Sequence, residues 1–179
     1  MAKKKVKTNV VKRENKIKAG LLVSDRVELK DVRLIGSKCD QIPEATLGKK
    51  TFAIDHSTEV QVDRKSGYII VIAKFHFKAF AESKVAKSKV QKPVVVIEAS
   101  FLLAYKIENF EGLTQEGFEQ FANLNGIYNA WPYWREFVQN TIVRMGLPSL
   151  SIPVFRIVEP AEEKVSSQEK VSKKIVSKK

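Results

Sequence analysis

One stretch near the C-terminus, residues 127–155, restricts the possible folds more than any other part of the chain. Its first half places Trp131, Trp134 and further apolar residues at steps of three or four, which predicts one broad apolar face of a helix. Gly146 is suited to end that helix, because glycine readily adopts the left-handed conformation of a C-terminal cap. Pro148 opposes any further helix, so extended chain is predicted up to residue 155.

A helix this rich in aromatic residues has more apolar surface than one small sheet is expected to cover. We therefore expect one face to pack on the chain's own sheet and another to pack on a partner. The alternative is that both Trp side chains lie inside the protomer core, as helical aromatic stripes commonly do. The candidate interface residues are Trp131, Tyr133, Trp134, Arg135 and Val138.

Upstream of this helix, apolar and polar residues alternate in a way that predicts an antiparallel sheet. The alternation changes phase at Lys30 and Asp31, which indicates a β-bulge in the first strand. Thr114 is suited to cap a short helix that precedes the long one. The fold class is therefore α+β, with a four-stranded antiparallel sheet and both helices on one face. Strands are predicted over residues 27–36, 59–62, 68–80 and 93–107.

The connection between Gly36 and Thr58 is longer than most loops, and Pro43 and Gly48 oppose regular structure in it. Loops of this length are commonly functional or disordered. Four of its apolar residues are not claimed by any predicted element and are candidates for ligand contact. The alternative is that Phe52 and Ile54 simply cap the core. These residues are Ile42, Leu47, Phe52 and Ile54.

The charge distribution indicates one domain, residues 19–158, between two tails that are predicted to be disordered, 1–18 and 159–179. The chain has a net charge of +12, yet residues 1–18 hold eight Lys or Arg against one Glu, and residues 164–179 hold six Lys against one Glu. The residues between them are therefore neutral overall. A nucleic-acid binder usually carries its basic residues on a folded face, so this distribution argues against that function.

Few residues have the types and spacing that chemistry requires. His56, His76 and Cys39 are the only histidines and cysteine, and their spacing matches no metal site. No phosphate-binding or nucleophile motif occurs, so we expect neither an enzyme nor a cofactor. Because the single cysteine cannot form an internal disulfide and no apolar run reaches the ~18 residues of a membrane span, a cytoplasmic protein is predicted.

The C-terminal stretch resembles the signature of the SecB protein-export chaperones. That family implies ATP-independent holding of unfolded or nascent polypeptides in apolar grooves, by a homotetramer built as a dimer of dimers. It also implies that the long crossover loop forms the groove wall. Ile70 and Ile72 on the outer sheet face are a further candidate location for client contact. The residues that carry the resemblance are Pro132, Tyr133, Arg135, Glu136, Gly146, Leu147, Pro148, Leu150, Ile152, Pro153, Val154 and Phe155.

One feature, the charge of the sheet surface, differs from what the resemblance implies. SecB proteins are typically acidic and bind the SecA export motor through an acidic sheet surface, whereas this chain has Lys74, Lys78 and a lysine-rich stretch, 82–92. Binding of SecA is therefore left open, and protection of one dedicated client, such as an antitoxin, is a second form of the same function. The other interpretation is a nucleic-acid-associated protein that binds through its tails. Binding to phosphates would weaken steeply from about 50 to 200 mM salt.

Overall fold

The computed structural model describes residues 15–82 and 92–156, which form a four-stranded sheet with helices on one face. The strands are β1 (Val27–Gln41), β2 (Lys50–Asp63), β3 (Tyr68–Ala81) and β4 (Val95–Ile107). The helices are α1 (residues 15–24), α2 (Gln115–Phe121) and α3 (Ile127–Arg144). The predicted α+β class is confirmed.

The sheet has the strand order β1-β4-β3-β2, and each neighbouring pair is antiparallel. Along β3 and β4, the odd-numbered side chains face the helices and, up to Ala79 on β3 and throughout β4, are buried. Nearly all of the even-numbered ones on the outer face are partly exposed. This alternation is the one that the sequence predicts. The core therefore lies between one face of the two central strands and the helical layer.

Both edge strands are longer than predicted. The register of β1 shifts between Leu29 and Asp31, which confirms the predicted bulge. A second shift follows Leu34, and the strand continues to Gln41, so its predicted end near Gly36 is wrong. Because β2 already begins at Lys50, the predicted irregular connection shrinks to a short segment that contains a 3-10 turn, Pro43–Thr46. Edge strands that are exposed on both faces need no apolar alternation, so the sequence pattern does not reveal them.

The predicted cap at Thr114 is confirmed, since its hydroxyl accepts a hydrogen bond from the Gly117 amide at 3.1 Å. A π-helical turn, Ala122–Gly126, joins α2 directly to α3. A Cβ on Gly126 would lie 2.8 Å from the nearest Val71 side-chain atom. The glycine thus lets this turn lie directly on the sheet.

Helix α1 was not predicted, and the proposed tail boundary at residue 18 falls inside it. Val23 is fully buried, and Gly20 packs closely against the backbone of α2 at Phe121. Because α1 buries only one large side chain and otherwise packs through a glycine, its sequence has little apolar periodicity. The rest of the two predicted tails, 1–14 and 159–179, lies outside the described residues, as do residues 83–91 of the lysine-rich stretch.

Candidate functional site

An apolar cleft of about 400 Å³ opens between β2 and the C-terminal end of α3. Its apolar lining comes from the two central strands, from β2, and from the chain at and beyond the end of α3. Phe52 forms the β2 wall, and its ring stacks on Phe77 with the centroids 5.8 Å apart. Lysines and one glutamate lie at the rim. The lining residues are Gly48, Lys49, Lys50, Phe52, Phe77, Ala79, Glu82, Val95, Ile142, Leu147, Pro148, Ser149 and Leu150.

The far wall of the cleft exists because α3 ends in a Schellman motif. Gly146 has a φ of 72°, and its amide donates to the carbonyl of Val143 at 3.0 Å. The next amide, that of Leu147, donates to the carbonyl of Ile142 at 3.1 Å. These two bonds define the motif, in which the residues at its two ends commonly make an apolar contact. Ile142 and Leu147 both line the cleft.

The extended segment after α3, residues 147–156, is held against the helix by side-chain donors. The Trp131 indole N–H donates to the carbonyl of Pro153 at 2.9 Å, and Arg135 Nε donates to the carbonyl of Ile152 at 2.8 Å. The Ile152 side chain is fully buried. Trp131 and Arg135 are four residues apart and lie on one side of α3. Their two bonds fix the segment that forms the far wall.

The short connection before β2 is also well defined. Ala45 is fully buried, and its amide donates to the carbonyl of Ile42 at 2.9 Å. Lys50 Nζ donates to the carbonyls of Leu47 and Gly48 at 3.1 and 3.0 Å. Because these bonds fix the turn, Leu47 is left with 68% of its surface exposed beside the cleft.

The structure separates the six predicted client-contact residues into three groups. Phe52 lines the cleft and is 45% exposed, while Ile42 and Leu47 are exposed on the connection next to it. Ile54 is partly buried and packs against the core, which favours the alternative that this residue caps the core. Two of the six, Ile70 and Ile72, are partly buried on the opposite, outer face of the sheet and cannot share a surface with the others.

Most of the predicted subunit-interface residues are occupied within the chain. Trp134 and Val138 are fully buried, and Trp134 stacks on Phe75 with the ring centroids 5.2 Å apart and an interplanar angle of 10°. Their side chains have no surface to offer a partner, so placing them at an interface is corrected in favour of the intramolecular alternative. The physical reason is that these side chains belong to the buried core, where Trp134 packs on β3 through Phe75.

Trp131 requires the same correction, because it is 8% exposed and donates a hydrogen bond to the segment 147–156. Arg135 also donates one, but it is only partly buried and stays a candidate for contact with a partner. The Trp131 ring also packs on Phe155, with the centroids 5.2 Å apart. Tyr133 is 46% exposed. It likewise stays a candidate for contact with a partner.

His56 lies on β2 beyond the cleft, on the same face of the sheet. Its ring meets Phe75 and Phe155 edge-on, at centroid distances of 6.3 and 5.9 Å. This partial burial lowers the pKa of His56, and the neighbouring Asp55 carboxylate opposes the shift only in part. A neutral imidazole is therefore favoured beside the aromatic rings.

The described residues offer no obvious place for a metal ion, since no group of three or more His, Cys, Asp or Glu side chains comes together in them. Within the same part of the chain, no helix has both the length and the apolarity to cross a bilayer.

The outer sheet face carries both signs of charge rather than a basic surface. Lys74 does lie there, but its ammonium forms an ion pair with Glu59 at 2.5 Å. Lys38 pairs with Asp40 on the same face at 2.9 Å. Of the lysines that the sequence suggested as a basic departure, Lys74 is thus paired with a carboxylate of the neighbouring strand.

The architecture of a four-stranded antiparallel sheet with helices on one face is similar to that of SecB-like chaperones. The structure matches that of the SecB-like chaperone Rv1957 of Mycobacterium tuberculosis, solved in complex with a ChAD peptide from the Rv1956 HigA1 antitoxin. The TM-score is 0.66 at 18% identity, over 79% of this chain and 99% of that one. The fold of this protein is therefore SecB-like.

A second solved structure, a protein of unknown function from Streptococcus agalactiae, has a TM-score of 0.39 at 12% identity, over 71% of this chain and 96% of that one. No protein-family model and no curated protein matches this chain by sequence.

Proposed function

We propose that this protein is an ATP-independent chaperone that binds unfolded or nascent polypeptides in the cleft beside β2. The observation that carries the proposal is an open apolar cleft, with Phe52 45% exposed, built on a SecB-like fold. An apolar cleft next to a sheet edge suits extended chain, because it takes side chains of many shapes and recognises little beyond their apolarity. The protein of similar fold was solved with a peptide from an antitoxin, which supports an extended polypeptide as the ligand.

The client is held for export or protected until it folds, and one dedicated partner such as an antitoxin fits either role. No catalytic step, cofactor or metal forms part of the proposal. We place the activity in the cytoplasm, where nascent chains and SecA are found, and leave SecA binding open.

The direct test is suppression of aggregation. A chemically denatured protein, such as a reduced model client, is diluted into buffer with and without this chain, in the absence of ATP, and light scattering is followed. We expect scattering to fall as the chain approaches equimolar amounts. Unchanged scattering at a several-fold excess would contradict the proposed function.

The same preparation distinguishes the nucleic-acid interpretation. Apolar client binding should change little from about 50 to 200 mM salt, whereas binding to phosphates should weaken steeply. Fluorescence anisotropy with a labelled unfolded client and with a labelled DNA duplex compares the two. Tight, salt-sensitive duplex binding without client binding would favour the nucleic-acid function.

We further propose that the chain works as a homotetramer, a dimer of dimers. Exposed apolar residues on β1, Leu29, Leu34 and Ile35, and Tyr133 on α3 support self-association, since exposed apolar patches commonly mark interfaces. Leu34→Asp should lower the oligomeric state in analytical ultracentrifugation. A wild type that sediments as a monomer at micromolar concentration would contradict the tetramer.

A further inference from the structure

The free edge of β2 offers unpaired backbone groups next to the cleft. The Glu82 amide donates to the carbonyl of Lys49 at 2.9 Å, and the β2–β3 register then runs without a shift. Hydrogen-bonded pairs alternate in an antiparallel ladder, so the odd-numbered residues of β2 pair with β3. The even-numbered residues, including Phe52 and His56, direct their N–H and C=O groups to the free edge. Within residues 15–82 and 92–156, no hydrogen bond to these edge groups is found.

The same even-numbered residues present their side chains on the helix-facing side of the sheet, where the cleft opens. A strand that pairs with this edge would therefore place every second side chain over the cleft. The other edge of the sheet is less regular, since β1 is interrupted by two register shifts. Bulges of this kind oppose strand addition, and β2 has none.

The charge at the rim restricts which strand fits. Lys49 and Lys50 line the cleft against a single carboxylate, that of Glu82. Within the described part of the chain, neither lysine forms an ion pair. The bonds from Lys50 Nζ to the carbonyls of Leu47 and Gly48 hold its ammonium at this end of β2. An incoming carboxylate is the group that complements this rim.

We propose that the client segment adds to the sheet as a fifth strand along the β2 edge from Phe52 to His56. Its alternate apolar side chains enter the cleft, and an acidic residue of the segment lies beside Lys49 and Lys50. This inference rests on the proposed function and specifies the backbone geometry and the charge of the client that the cleft selects.

Amide hydrogen exchange tests the edge pairing. The probe is a capped ten-residue peptide in which Phe and Leu alternate with Ser through the centre, with two glutamates at one end. At saturation, exchange of the Phe52, Ile54 and His56 amides should slow by about tenfold or more, because each gains a partner. Thr51 and Ala53, which already pair with β3, should change little and serve as internal controls.

The possible results distinguish the edge pairing from the chaperone function. Saturating binding that leaves Phe52, Ile54 and His56 exchanging as in the free protein would overturn the edge pairing and keep the chaperone function. Failure of both this peptide and an unfolded protein to bind would overturn the proposed function and this inference together.

The acidic preference is tested with a second peptide in which lysines replace the two glutamates. At about 50 mM salt, the glutamate peptide should bind about fivefold more tightly, the size expected of one or two exposed ion pairs. Lys49→Glu should abolish or reverse this preference. The matched control is Lys65→Glu, in the turn at the other end of β2, which should leave it intact. Equal affinities of the wild type for the two peptides would overturn the charge assignment.

Discussion

The two ends of helix α3 carry apolar side chains of similar character but with different surroundings. At the N-terminal half, Trp131 and Trp134 pack on Phe75 and are 8% and 0% exposed. At the C-terminal end, Ile142 faces an opening of about 400 Å³ whose other wall, Phe52, is 45% exposed. The two ends differ in what covers these side chains, because the Trp rings are buried and Phe52 is not. The proposed binding surface is defined by apolar side chains that no other part of the described chain covers.

The largest effect is expected from removing the best-covered side chain. Trp134→Ala should lower the free energy of unfolding by about 3–5 kcal/mol, because it leaves a cavity beneath Phe75. Trp134→Phe should cost less, since it keeps a ring against Phe75 and removes an indole N–H that is buried without a hydrogen-bond partner among the described residues. Urea denaturation measures both. A Trp134→Ala variant as stable as the wild type would remove the distinction between the two ends.

A smaller loss of stability is expected where α3 holds the C-terminal segment. Arg135→Met removes the hydrogen bond to the carbonyl of Ile152 and should cost about 1–3 kcal/mol, because that carbonyl loses its donor. Arg144→Met, at the exposed end of the same helix, is the matched control and should cost well under 1 kcal/mol. Equal losses in urea denaturation would show that Arg135 does not hold the segment.

At the open end the expected effect is on binding rather than on stability. Phe52→Ser should weaken binding of an unfolded client about tenfold, as is typical for loss of an aromatic anchor, and lower stability by only about 1 kcal/mol. Leu21→Ser, at a 53% exposed site on α1, is the control for removing an exposed apolar side chain. Fluorescence anisotropy with a labelled client compares them. If Phe52→Ser unfolds the chain, Phe52 is part of the core after all.

The smallest expected effect is a pH dependence from His56. Because partial burial lowers its pKa in the folded state, the unfolded chain binds the proton more readily. The stability is therefore complete above the ordinary pKa of about 6.5 and falls as the pH drops through that value towards the lower folded pKa. His56→Gln should lose less stability than the wild type between about pH 7.5 and 5.5. Urea denaturation at each pH measures the free energy of unfolding, and equal losses for the two proteins would contradict a contribution from His56.

The central part of the fold could be predicted from the sequence because β3 and β4 are covered on one face and alternate strictly. The edge strands could not, since residues such as Ser37 and Lys38 on β1 are exposed and follow no apolar pattern. Helix α1 was missed for a related reason, because its contact with α2 relies on Gly20 and on one buried side chain, Val23.

The candidate site could be predicted in part. Phe52 was recognised because no predicted element claimed a large aromatic residue. The contributions of Leu147 and Leu150 were missed, although the glycine cap and prolines around them indicated extended chain. Assigning Trp131 to the interior required knowing that this extended chain folds back along α3, which local periodicity does not show.

Photo-crosslinking locates the surface that the client contacts. A client peptide that carries a photoreactive phenylalanine analogue is irradiated with the full chain, and the attachment sites are mapped by mass spectrometry. We expect attachment at the cleft, chiefly on Phe52, Leu147 and Leu150, and loss of most of it in Phe52→Ser. Attachment centred on Ile70 and Ile72 of the outer sheet face would show that the client does not bind in the cleft.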